Sequence, residues 1–131
     1  MKALKSEIEK IDRLKKRSDF LWVQSNGRKW ISKGLIVEIA DNNTRKEKPG
    51  IRFGLTVSKK VSKLAVKRNL IKRRLRSIAL ETLPDYAPQN LDVVIVGRYG
   101  AMDRSYDELK NDLIWCLGKM KIEKIETKKT P

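Results

Sequence analysis

The apolar positions of this chain change period several times, and each change marks an element. Ile51, Phe53, Leu55 and Val57 alternate with Arg52, Gly54, Thr56 and Ser58, the two-residue period of a strand with one buried face. Upstream, Gly34 to Ala40 (GLIVEIA) is dense in β-branched residues and predicts another strand. Leu91 to Arg98 (LDVVIVGR) is an unbroken apolar run, as expected of a strand in the middle of a sheet or covered on both faces. Helical spacing fills most of the rest. Leu64, Ile71, Leu75 and Ile78 recur at offsets of seven, four and three, which at ~100° per residue puts them on one narrow face. Ser105 with Glu108 forms a capping box, and Tyr106, Leu109, Leu113, Cys116, Leu117 and Met120 then mark one face of a last helix ending near Met120. Ser18 as N-cap, Asp19 in the first turn and the Asn26-Gly27 stop frame a short helix over FLWVQS.

Between these segments lie breakers. Asp41 to Gly50 reads as a turn or loop that sets a hairpin with the strand that follows, and the two prolines of LPDYAPQN (Leu83 to Asn90) end the helical pattern before the last strand. Residues 1 to 17 are charged without a continuous single-face pattern, although Ile8, Ile11 and Leu14 share a helical face, so a partly ordered arm is expected. The order helix, strand, strand, helix, strand, helix predicts an α+β fold, a two-layer α/β sandwich around a central, mostly antiparallel sheet. We expect one domain over residues 1–131, with a flexible arm over about 1–12 and a frayed tail over about 121–131.

Charge changes the picture of the middle helix. The chain carries a formal net charge of +15, which draws it to polyanions before any specific contact forms. Between Lys48 and Leu80 there is no Asp or Glu, and eleven residues there are Lys or Arg. Asn69, Lys72, Arg73 and Arg76 line up on a helical face beside the apolar one. A solvated basic face is the ordinary reading of such a stripe, but solvated helices usually mix signs to gain i,i+4 pairs, and no acid follows until Glu81. The anions are therefore expected from outside the chain.

Other residue types narrow the chemistry. With no His and one Cys, the usual zinc ligand sets and His-based acid or base catalysis are excluded. Asp103, Asp107, Glu108 and Asp112 could serve a stand-alone metal nuclease, but they surround a helix start, where the dipole already favours acids. Cys116, on an apolar face, reads as a packed thiol. No apolar stretch approaches ~20 residues and the N-terminus alternates charged with apolar positions, so a cytoplasmic protein without membrane contact is expected. On composition alone, a ribosomal or other structural RNA-binding protein comes first.

The ordered motifs then point to one family. RFGLTVSKKV followed by AVKRNLIKRRLR resembles the protein subunit of bacterial ribonuclease P, whose signature is a strand ending in Val-Ser-Lys-Lys and then Arg-Asn-x-Ile-Lys-Arg-x-x-Arg on a helix. Here these are Val57 to Lys60, then Arg68, Asn69, Ile71, Lys72, Arg73 and Arg76. Arg13 to Phe20 resembles the family's N-terminal entry and Leu91 to Arg98 its late strand, so the likeness covers roughly residues 13 to 118. The resemblance implies a ribosomal-protein-like fold with a left-handed β-α-β crossover. It also implies an auxiliary subunit of an endoribonuclease that removes the 5′ leader of precursor tRNA. No residue of this chain is then catalytic, and cleavage belongs to a catalytic RNA whose Mg²⁺ is bound mainly by that RNA; no protein partner is required. Carried over by position, Arg68, Asn69, Lys72, Arg73 and Arg76 would bind the catalytic RNA, and Phe20, Thr56 and Lys59 the leader. The chain departs from many relatives at Ser62-Lys63-Leu64, where the helix is entered, and at Gln24 and Glu38, where some relatives place aromatics in the leader groove. Trp22 or Trp30 is the aromatic expected to replace that stacking, and an acid at Glu38 facing the groove would oppose phosphate.

Overall fold

The computed structural model describes residues 12–14, 16–41, 51–86 and 91–120, with the side chains of Asp12, Asp85 and Tyr86 left aside. Its elements are β1 (Asp12–Arg13), α1 (Arg17–Asn26), β2 (Arg28–Ile31), β3 (Leu35–Asp41), β4 (Arg52–Val57), α2 (Ala65–Tyr86), β5 (Leu91–Gly97), a 3₁₀ turn (Tyr99–Asp103) and α3 (Tyr106–Lys119). The strands form one sheet in the order β1-β4-β5-β3-β2. It is mixed. β2 and β5 run antiparallel to β3, in ladders longer in sum than the parallel pairings β1 with β4 and β4 with β5. β4, α2 and β5 form a parallel β-α-β connection between neighbouring strands. The α+β class expected from the sequence is the observed one.

Period-two alternation sends each strand's side chains to two different cores. Leu35, Val37 and Ile39 of β3, Phe53 and Val57 of β4, and Leu91, Val93 and Ile95 of β5 meet Ile71, Leu75, Ile78 and Leu83 of α2 and Leu109, Leu113, Cys116 and Leu117 of α3. Burying each such side chain contributes roughly 1.5–3 kcal/mol, so this face holds most of the fold's driving force. The opposite face carries a smaller cluster of Leu14, Val23, Ala40 and Val94, with Phe20 and Trp22 packed against it. α1 therefore lies across the second sheet face and leaves part of it open. β5, central in the order and buried at six of its seven positions, accounts for the continuous apolar run of its sequence.

Several local expectations need correction. Arg17 and Ser18 lie inside α1, whose N-cap is Lys16 with no side-chain cap bond; Gly27 closes the helix as expected, its N–H donating to Val23 O. Arg17 thus belongs to the helix and Asp12–Arg13 to the sheet, where an arm was expected. Leu64 precedes α2 and is 59% exposed, so it is not part of the packed stripe. α2 also runs on through Pro84 to Tyr86. Proline there forfeits the one bond its N–H would make to the carbonyl four residues back, and Leu83, buried in the main core, holds that turn in place. β2 was not anticipated at all, and the hairpin expected across Asp41 to Gly50 does not form, because β5 lies between β3 and β4 and pairs with both. The capping box of α3 is present in both directions, Glu108 N to Ser105 Oγ at 3.1 Å and Ser105 N to Glu108 Oε1 at 2.9 Å. The expected loop after Asp41, the first eleven residues of the arm and the tail after Met120 lie outside the described residues.

Candidate nucleic-acid interface

Two basic surfaces emerge from this frame. The first is the exposed side of α2. Asn69 and Arg73 are exposed, and Arg68, Lys72 and Arg76 are half-buried beside the apolar stripe. Offsets of one, four, five and eight from Arg68 keep all five within an arc of about 140°. Among the described residues no ion pair involves Lys72, Arg73 or Arg76. The nearest acid along the helix, Glu81, is taken by α3: Lys110 Nζ lies 2.8 Å from its Oε2 and the Tyr106 hydroxyl donates to its Oε1 at 2.9 Å. Those two hydrogen bonds hold the Glu81 carboxyl below its ordinary pKa. Among the described residues, no acid therefore compensates Lys72, Arg73 and Arg76 of the stripe.

Within that stripe the residues differ. Arg68 Nη1 donates to the carbonyls of Ser62 and Lys63 at 2.9 and 3.0 Å, so Arg68 also braces the turn that enters α2. In the same turn Leu64 N donates to Ser62 Oγ at 3.2 Å, which is how this chain closes the entry where many relatives differ. Arg76 carries a buried Nε with no hydrogen-bond partner, a cost of about 1–3 kcal/mol that an incoming acceptor can remove once the side chain shifts. Arg52, counted in the basic block by sequence, belongs elsewhere. It grips the fully buried Asp92 with two bonds of 2.8 and 2.6 Å and lies 3.6 Å from Asp19 of α1. That buried cluster pins the N-terminal end of α1 to the sheet.

The second surface is the groove between α1 and the sheet. Arg17, Phe20, Leu21 and Gln24, one face of α1, and Thr56 of β4 enclose a cleft of about 420 Å³. The Phe20 ring lies over Gly54, close enough that a Cβ there would stand 2.5 Å from its Cζ. Glycine on the strand is thus what lets the ring lie so low on the sheet. Through Gln24 the cleft continues into a recess of about 130 Å³ lined by Val23, Gly27, Arg28, Lys29 and Glu38. Phe20 and Thr56 line this same cleft. Lys59 is exposed in the turn after β4 and is not among the residues lining the cleft.

Glu38 does face the groove, between Arg28 and Lys29. Neither tryptophan takes over stacking there. Trp22 is packed into the smaller core with its Nε1 directed at Asp41 O, 3.4 Å away, and Trp30 sits on β2 against Trp115 of α3. Arg17 and Leu21 escaped notice in the sequence, although their offsets of three and four with Phe20 and Gln24 were the available signal. The acids near the start of α3 hold structural positions: Glu108 in the capping box and Asp112 bound by Arg104 at 2.6 and 2.9 Å. Among the described residues no three His, Cys, Asp or Glu side chains converge on a metal position. Cys116 is fully buried, with its thiol pKa pushed up by desolvation. No helix among the described residues is long and apolar enough to cross a membrane.

Comparison with known proteins places this geometry. A family model described as Ribonuclease P matches residues 8–121. The chain is 42% identical over 109 residues to the ribonuclease P protein component of Paramagnetospirillum magneticum, covering 82% of this chain and 81% of that one. It is 40% identical over 119 residues to the corresponding protein of Leuconostoc mesenteroides, covering 91% and 98%. Among solved structures, the RNase P protein of Staphylococcus aureus superposes with a TM-score of 0.72 at 29% identity, covering 85% of this chain and 96% of that one. The RNase P protein of Thermotoga maritima shares the fold with a TM-score of 0.67 at 22% identity, covering 88% and 99%.

Proposed function

This chain belongs to the ribonuclease P protein family, and on that premise we propose that it binds a catalytic RNA through α2 and the 5′ leader of precursor tRNA through the α1 groove. A role in tRNA 5′ processing follows from membership; the division of surfaces is the further step. The observation that carries it is the α2 stripe, in which Lys72, Arg73 and Arg76 have no carboxylate partner among the described residues. A rigid helix can meet successive phosphates of folded RNA without first ordering a loop. Arg73 and Arg76 add planar forks for two-pronged phosphate contacts, and Asn69 can donate and accept towards a base or 2′-hydroxyl.

The groove suits a different ligand. A leader is single-stranded and of varied sequence, so a basic channel with an aromatic floor meets it without reading bases. Phe20 supplies the aromatic, Arg17 the charge and Thr56 a hydroxyl, while Lys59 stands outside the cleft in the turn after β4, where a leader leaving the groove could meet it. Gripping the leader raises affinity for precursor above that for the mature product, which favours turnover. On this reading cleavage belongs to the RNA partner and its Mg²⁺; the family resemblance supports that division, and among the described residues no three His, Cys, Asp or Glu side chains converge on a metal position. The reading asks for two RNAs, no second protein, and a cytoplasmic setting.

Phe20→Ala tests it. The assembled ribonucleoprotein should lose affinity for precursor tRNA, by roughly ten-fold if one stacked base is lost, while binding mature tRNA as before. Equal losses for both tRNAs would remove Phe20 from a leader site.

A further inference from the structure

At the sheet edge farthest from β1, a third surface gathers aromatics and cations that neither α2 nor the α1 groove uses. β2 is the outermost strand there, and all four of its residues are exposed. Trp30 of β2 meets Trp115 of α3 edge to face, with ring centroids 6.4 Å apart and planes at 65°. The two indoles remain 40% and 48% exposed, and Ile31 beside them 48%. Large apolar side chains left open in one contiguous group mark an interaction surface, whereas scattered ones need no explanation. Lys119 places its Nζ 5.5 Å from the Trp115 ring centroid. A cleft of about 620 Å³ runs past Ile31, Lys33, Arg98 and Trp115.

Charge selects the occupant. Asp112, the one acid among the described lining residues, is bound by Arg104 in two hydrogen bonds, so its charge is answered on the spot. Glu108 stands in the field of Lys33 and Arg104 but is held by the N–H of Ser105. Lys33 and Arg98 stay exposed, and Arg98 is steadied by donating to Ser32 O at 2.6 Å. A second copy of the chain pairing along β2 would bring another +15 and the same cations to this edge, which opposes it. Flat apolar faces beside unanswered cations fit bases and phosphates instead. The cleft volume lies within the ~300–1,000 Å³ typical of small-ligand sites, enough for one unpaired nucleotide.

We infer that the Trp30–Trp115 edge is a second contact for single-stranded RNA, taking an unstacked base against the Trp115 indole, which Trp30 braces edge to face, and its phosphates on Lys33 and Arg98. It rests on the proposed function only in that the chain works on RNA. It involves none of the residues assigned there.

The test uses the full chain and a short unstructured RNA oligonucleotide at low salt, reading labelled-RNA anisotropy and tryptophan fluorescence. Trp30→Leu with Trp115→Leu keeps apolar bulk and removes stacking. It should weaken oligonucleotide binding roughly ten-fold and remove most of the quenching, in the native and the Phe20→Ala backgrounds alike. Lys33→Gln should instead lower the salt dependence of binding by about one phosphate contact. The inference is overturned if the double Leu variant, with a native circular dichroism spectrum, binds as tightly as the unaltered chain. Should Phe20→Ala alone then abolish binding, the leader groove stands and only this third surface falls. Self-association in sedimentation that the Leu pair abolishes would make a second copy the occupant and also overturn the RNA assignment.

Discussion

Gly54→Ala offers a perturbation whose size can be read from distances. Gly54 lies in the extended backbone of β4, so alanine adds no backbone strain of its own. Its Cβ would stand 2.5 Å from Phe20 Cζ and 2.6 Å from Cε1, where ordinary contact begins at 3.4 Å. The ring must therefore rise by about 1 Å, an overpacking that costs roughly 1–3 kcal/mol. It can rise only towards the cleft that it floors. In a Phe20→Ala background that clash disappears and alanine should gain about 0.4–1 kcal/mol by restricting the unfolded chain. The remaining neighbour, Leu14 Cβ at 3.3 Å, is common to both backgrounds. Urea denaturation of the four proteins should thus give a coupling energy of at least ~1.5 kcal/mol, with Gly54→Ala destabilising only while Phe20 is present. Precursor tRNA affinity should fall in Gly54→Ala with mature tRNA unaffected. Additivity within ~0.5 kcal/mol would refute the reasoning, because the ring would then not rest on Gly54.

Other substitutions probe other parts of the account. Arg73→Ala, exposed and without an internal ion pair, should leave stability unchanged but weaken assembly with the catalytic RNA about ten-fold and lower its salt dependence by about one contact, measured by filter binding across a salt series. Asp92→Ala leaves Arg52 without its two-bonded buried partner and should cost about 3–5 kcal/mol in denaturant, far more than any exposed charge change. Cys116, buried and with a raised thiol pKa, should react with iodoacetamide only after denaturation.

Much of the fold was legible because one face of most elements is buried. β4 announces itself by alternation, β3 by its density of β-branched residues, α3 by a capping box, and β5 by the continuous apolar run of a central strand. β2 left no such trace, since an edge strand with four exposed residues has no buried face to set a period. Leu64 kept the helical spacing but fell before the helix began, and Pro84 marked a break that packing of Leu83 overrode. On the surfaces, charge counting found the α2 stripe but misassigned Arg52. Its acids come from α1 and β5, remote in sequence, and only the sheet brings them together. The aromatic pairing of Trp30 with Trp115 is likewise invisible before β2 and α3 are docked.

The account holds that the polypeptide contributes positive charge and shape while RNA performs the cut. Its most direct test mixes this protein with a family catalytic RNA and a precursor tRNA at low Mg²⁺, then maps the cleavage position. The mixture should release the leader at the mature 5′ end far faster than the RNA alone, with the protein alone inactive. Cleavage by the protein unaided, or a mixture no faster than its RNA, would contradict the account.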